Sequence, residues 1–133
     1  MQVIDVAAAL IFREGKLLIT QRPAEGHLGG LWEFPGGKRE AGESFEACLR
    51  RELKEELGIE VEVQQEMESI THEYPEKTVH LKFFLCAWLK NEPQKLACPD
   101  FRWVSREEMP EFDFPAADAR LLKMLQQNAG LWR

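Results

Sequence analysis

The 133-residue sequence has no apolar run approaching the roughly 20 residues that a membrane span needs. Its opening segment, MQVIDVAAALIF, carries no basic leader ahead of the apolar residues, so a signal peptide is not expected. Cysteine is scarce and odd in number. Cys48, Cys86 and Cys98 lack metal-ligand spacing, and buried thiols in a reducing cytoplasm are the plain expectation. Positive charge is in deficit: 17 Lys and Arg against 23 Asp and Glu leave a net charge of -6. That balance argues against nonspecific binding to duplex nucleic acid, which needs a basic surface. It leaves a nucleotide substrate open, because a divalent cation supplies positive charge locally. Internal repeats, low-complexity tracts and linkers are also lacking. Residues 1–133 therefore read as one domain, large enough for a core without disulfides or structural metals.

What the sequence does contain is a dense functional stretch from Gly36 to Ile59, GGKREAGESFEACLRRELKEELGI. A glycine-rich segment passes at about Ser44 into a helix that Gly58 should stop. Phe45, Leu49, Leu53 and Leu57 form its apolar stripe, while Arg50 and Lys54 point away from it. Glu52, Glu55 and Glu56 fall at i, i+3 and i+4, so the three carboxylates share one side. Glu52 and Glu56 sit at the border of the stripe, where a carboxylate is costlier than in open water. A cation collecting them is the simplest way to remove the mutual repulsion; a merely solvated charged helix, the alternative, fits the placement poorly.

Around this stretch the chain reads as strands with little helix. Val3 to Arg13 and Lys16 to Gln21 form a hairpin across Glu14-Gly15. Arg22-Pro23 opens a glycine-containing loop that ends in Leu31-Trp32-Glu33-Phe34, and Pro35-Gly36-Gly37 suggests a tight turn whose backbone approaches a ligand. Ile59 to Val63 alternates as a half-buried strand that Met67 to His72 extends, Tyr74 to Lys77 turns, and Thr78 to Leu89 is a long central strand. Phe101 to Val104 is short, Ser105 is expected to cap a brief acidic helix through Glu108, and Asp118 to Leu125 closes the chain as a helix. Strands with one helix in the middle and one at the end give an α/β class with a mixed sheet between helices.

Gly37, Glu43, and the run Arg51-Glu52-Leu53-Lys54-Glu55-Glu56-Leu57-Gly58-Ile59 match every fixed position of G-x5-E-x7-R-E-U-x-E-E-x-G-U, where U is a bulky aliphatic residue. Nine constrained positions over 23 residues are a specific signal. The sequence resembles the Nudix hydrolases. The resemblance covers nearly the whole chain and implies an α/β/α sandwich with a mixed sheet. It implies hydrolysis of a nucleoside diphosphate linked to a further group, with Mg²⁺ or Mn²⁺ as cofactor. Both ions favour hard oxygen ligands and bridge to phosphates.

By the same resemblance Glu52, Glu55 and Glu56 are metal ligands, Gly36 or Gly37 gives a carbonyl, and Glu52 is the best candidate general base. Arg51 orients a glutamate and Glu43 supports the loop. Arg22 and Lys38 are placed to meet phosphate oxygens. The segments ITQRPAEGH, LWEFPGGK and FPAAD look most like MutT-type enzymes, which hydrolyse oxidised dGTP and so sanitise the nucleotide pool, a role in DNA repair. His27 and Glu33-Phe34-Pro35-Gly36 match nucleotide-holding positions of that group. Tyr74, Val79 and Leu81 are candidate apolar walls for the base, although such strand residues equally serve a core. Two departures stand out. Asp118 replaces an Asn, which offers one donor and one acceptor where an ionised Asp offers acceptors only; enzymes acting on cytidine nucleotides also show Ala-Asp here. Asp118 can alternatively be read as the N-cap of the last helix. Ala97 replaces a further glutamate, and Asp100 is out of register with it. The expected substrate is thus 8-oxo-dGTP, with CTP or dCTP the alternative and a noncatalytic nucleotide-binding module the reading of another class. A monomer or homodimer is expected.

Overall fold

A computed structural model describes residues 2–133; Met1, the first residue of the expected domain, lies outside the described residues. Strands β1 (Gln2–Arg13) and β2 (Lys16–Gln21) form the expected hairpin. Short strands β3 (Trp32–Glu33) and β4 (Gly36–Lys38) follow, then helix α1 (Phe45–Leu57). The long strands β5 (Glu60–Tyr74) and β6 (Lys77–Lys90), strand β7 (Phe101–Ser105) and helix α2 (Ala119–Gln127) complete the chain. The sheet runs β3-β2-β1-β6-β5, with β4 on β1 and β7 on β2. β1 and β6 are parallel, the other pairs antiparallel.

The alternation along β1 explains the layers. Ala7, Ala9 and Ile11 point to one side and meet Leu49, Leu53 and Leu57 of α1. Ala8 and Leu10 point to the other and share a core with Leu121 and Leu125 of α2, Phe83 and Trp132. One helix per face yields the α/β/α sandwich. α1 begins where the Ala47 N–H donates to Ser44 Oγ at 3.0 Å and ends at Gly58, whose φ of 74° is cheap only for glycine. Each fully buried leucine of α1 contributes roughly 2 kcal/mol.

Three local expectations are corrected. Pro35-Gly36-Gly37 is no tight turn: Gly36 to Lys38 pair with Ala8, Ala7 and Val6 as a strand. A Cβ on Gly36 would lie 2.0 Å from the Ala7 carbonyl oxygen, so only glycine lets this backbone lie so close to β1. Ser105 caps a turn and not an acidic helix; its hydroxyl accepts the Glu108 N–H while Glu108 Oε1 accepts the Ser105 N–H, and the 3₁₀ turn that follows is Met109–Glu111. Asp118 occupies the N-cap position of α2, yet its side chain makes no capping bond.

Candidate active site

A cleft of about 260 Å³ opens on the α2 face of the sheet. Its floor comes from register. The parallel pairing sets Ile4, Val6 and Ala8 of β1 beside Val79, Leu81 and Phe83 of β6, all six facing the cleft. Tyr74 and His27 form one wall, with ring centroids 4.7 Å apart in an edge-on contact. Phe34, Gly36, Gly37 and Lys38 bound the cleft along β3 and β4, and Asp118 closes it where α2 begins. Phe34 is buried, edge-on to Phe83 and stacked on Phe114 at 5.2 Å.

Charge inside the cleft centres on Arg22. Its Nη1 donates to Glu33 Oε1 at 2.7 Å and its Nε to the His27 carbonyl at 3.0 Å. Arg22, expected at phosphate oxygens, lines the cleft and is bonded there to Glu33 and to its own loop. Burial raises the Glu33 carboxyl above the usual range, and Arg22 opposes it. Asp118 is 5 % exposed, and burial, helped by the Glu33 charge, pushes it up to about 7. At neutral pH a large share of Asp118 therefore carries its proton and offers one donor and one acceptor. Burial lowers His27, and its buried Nε2 has no hydrogen-bond partner among the described residues.

The acidic residues of α1 stand on the other side of β4. Arg51 is their hub. Its Nε and Nη2 donate to Glu43 at 2.7 and 2.9 Å, and Nη1 donates to Glu52 at 2.9 Å and to Glu55 at 3.1 Å. Nη2 also reaches the Lys38 carbonyl at 3.1 Å. These bonds hold Glu43 down at about 2 and raise Arg51 far above its ordinary value. Glu52 is raised chiefly by burial, with Arg51 opposing. Glu56 turns inward, and burial, reinforced by Glu33 and Glu52, pushes it up to about 8. Among the described residues Glu56 Oε1 and Thr20 Oγ1, both buried, find no partner at hydrogen-bond geometry.

A model described as the NUDIX domain matches residues 7–124. The chain belongs to that family. The CTP pyrophosphohydrolase of Escherichia coli strain K12 is 40% identical over 123 residues, 92% of this chain and 91% of that protein. The 8-oxo-dGTP diphosphatase of the same strain is 32% identical over 128 residues, covering 96% of this chain and 99% of its own length. The solution structure of the E. coli ORF135 protein superposes with a TM-score of 0.82 at 36% identity, covering 98% of this chain and 94% of that one. The family and these enzyme relatives make this chain an enzyme, a Nudix hydrolase. Among the described residues no helix is long and apolar enough to cross a membrane.

The Nudix box supplies the donor chemistry for a divalent cation, but not as side chains already gathered. Among the described residues no three His, Cys, Asp or Glu side chains stand together as a ready ligand set. Arg51 bonds both Glu52 and Glu55. The fit to a cation rests on Glu56: a buried carboxylate oxygen without a donor, beside a second carboxylate, is the arrangement that a dication stabilises.

Not every expected residue reaches the cleft. Pro35 does not line it; its carbonyl accepts the Ala9 N–H at 2.8 Å and so anchors β4. Ala97 brings no carboxylate, its N–H donating to the Glu56 carbonyl at 3.2 Å, and Asp100 is held by Lys95 and Arg102. Ile4, Val6, Leu28, Lys77, Phe83 and Ala117 line the cleft without having been singled out in the sequence. The alternation of Ile4, Val6 and Ala8 was the available signal, though its use needs the pairing of β1 with a strand some 75 residues on.

Proposed function

We propose that this Nudix hydrolase converts 8-oxo-dGTP to its monophosphate and pyrophosphate, with Mg²⁺ or Mn²⁺ held by Glu52, Glu55, Glu56 and the Gly36 or Gly37 carbonyl. The base choice rests on Asp118. Buried at the cleft and titrating near 7, it presents an O–H to the O6 acceptor of 8-oxoguanine and a carbonyl to its N7–H. Val6, Val79 and Leu81 offer apolar surface to the ring, and His27 and Tyr74 close over its edge.

A dication held by these residues would polarise a phosphoryl oxygen and lower the pKa of a water. The chain does the rest. Lys38, exposed at the mouth of the cleft, meets the phosphates. Glu52, oriented by Arg51, takes the proton from water as its oxygen attacks phosphorus and the bond to pyrophosphate breaks. The Gly37 carbonyl lies toward α1, where the Cys48 thiol reaches it at 3.5 Å, on the side of the carboxylates.

A CTP-type pyrophosphohydrolase is the second reading. Its support is the E. coli relative of that name and the acceptor-only character of Asp118 once ionised. Pyrophosphate release from 8-oxo-dGTP, CTP, dGTP and dATP, compared by kcat/KM, separates the two. If neither 8-oxo-dGTP nor CTP exceeds dGTP and dATP by about tenfold, both substrate assignments are wrong.

A further inference from the structure

The segment between the glycines and α1 is held by a second arginine that lies outside the fixed positions of the box. Arg39 reaches two places at once. Its Nη2 and Nε donate to Asp5 Oδ2 at 2.8 and 3.3 Å, while Nη1 donates to the Glu43 carbonyl at 2.9 Å. Its backbone N–H adds a bond to the Asp5 carbonyl at 2.8 Å. The guanidinium also lies 5.4 Å from the centre of the Phe45 ring, at the first turn of α1. Asp5 in turn is fixed on β1 between Ile4 and Val6, with His80 Nδ1 3.4 Å from its Oδ1. Arg39 thus staples a central strand to the backbone of Glu43, and the Glu43 side chain holds Arg51, which holds Glu52 and Glu55.

We infer that Arg39 is a positioning residue for the metal site, acting through Asp5, Glu43 and Arg51 without touching substrate. The inference rests on the divalent-cation reading of the box. Partly exposed ion pairs add little to stability, so what this pair sets is geometry. Arg39 needs its fork: one ammonium cannot bond Asp5 and the Glu43 carbonyl together along the same planar group. Loss of the staple frees the segment from Arg39 to Ser44 and lets Glu43 and Arg51 move as a unit away from Glu52. Outer partners of this kind affect metal affinity about as strongly as activity.

The test is a titration of Mn²⁺ into the full chain, with free Mn²⁺ read by electron paramagnetic resonance, alongside kcat, KM for the nucleotide and Tm. Arg39→Ala should weaken Mn²⁺ binding about tenfold and lower kcat, with KM nearly unchanged. Arg39→Lys should stay weak despite its charge. Asp5→Asn, which keeps the side chain's shape, should weaken Mn²⁺ a few-fold and carries the test if Arg39→Ala fails to fold. Wild-type Mn²⁺ affinity in Arg39→Ala and Asp5→Asn, whatever their Tm, overturns the inference, as does full recovery in Arg39→Lys. A wild-type chain that takes up no Mn²⁺ overturns the metal reading of the box, and this inference with it.

Discussion

Glu52 packs its carboxylate against the bare Cα of Gly37: a Cβ built there would lie 2.3 Å from Glu52 Oε2. The neighbouring glycine meets something different, the Ala7 backbone at 2.0 Å. The two glycines therefore do separate jobs, one for the acidic cluster and one for the sheet. Gly37→Ala should displace a flexible side-chain end, leaving Tm within a few degrees of wild type while kcat falls at least about tenfold. Gly36→Ala should push β4 off β1 and cost on the order of 3 kcal/mol. Urea denaturation and turnover of both variants check this, and equal stability losses in the two would show that the division is wrong.

Glu52→Gln and Glu56→Gln are the direct tests of the box. Glutamine keeps the size of each side chain but removes the charge, so circular dichroism should show a folded protein. Turnover should drop by at least about 10²-fold, the scale of acid–base or metal-ligand loss. Glu56→Gln should also stabilise the metal-free protein above neutral pH, because it removes a carboxylate that burial disfavours. Unchanged turnover in both variants would rule out the mechanism.

The box, its caps and the apolar stripe of α1 were legible in the sequence because each depends on residues near in the chain. Ser44, Gly58 and Leu49-Leu53-Leu57 sit where local periodicity puts them. The cleft was legible only in part. Val79 and Leu81 were visible as strand residues, but Ile4 and Val6 join them through a parallel pairing that no local pattern encodes. The strand at Gly36–Lys38 was read as a turn because two glycines carry no strand propensity, and β1 imposes the conformation. Arg22 shows the same limit: its ion pair with Glu33 follows from β2 pairing with β3, which no local pattern encodes.

If Asp118 reads the base as proposed, base preference should depend on pH. Its proton, held up to about 7 by burial and Glu33, would then supply the donor to O6. As pH rises through that value the donor is lost, and kcat/KM for 8-oxo-dGTP relative to CTP should fall between about pH 6 and about pH 9. Asp118→Asn keeps one donor and one acceptor at every pH, so its ratio should be flat. A wild-type ratio that also stays flat would mean that Asp118 does not read the base.

Stability without metal should run against the usual trend of carboxylate-rich proteins. Glu56 and Asp118 have folded values of about 8 and about 7 against ordinary values of 4.5 and 3.8. A carboxyl raised on folding stabilises fully below its unfolded value, and that contribution is lost as pH rises through the folded one. Glu43 has the opposite sign, held at about 2, so its contribution is lost only in strong acid. Between about pH 5 and about pH 8, then, the raised pair dominates and the urea midpoint should fall with pH, by an amount worth a few kcal/mol in all. If Glu56 is a ligand as proposed, Mn²⁺ should reverse the fall, because it would take the place of the Glu56 proton and bind only the folded chain tightly. Asp118→Asn should remove part of the slope and leave the Mn²⁺ effect intact, since residue 118 lies across the sheet from α1. A midpoint that holds level across this range in metal-free wild-type protein would contradict the burial of both carboxyls.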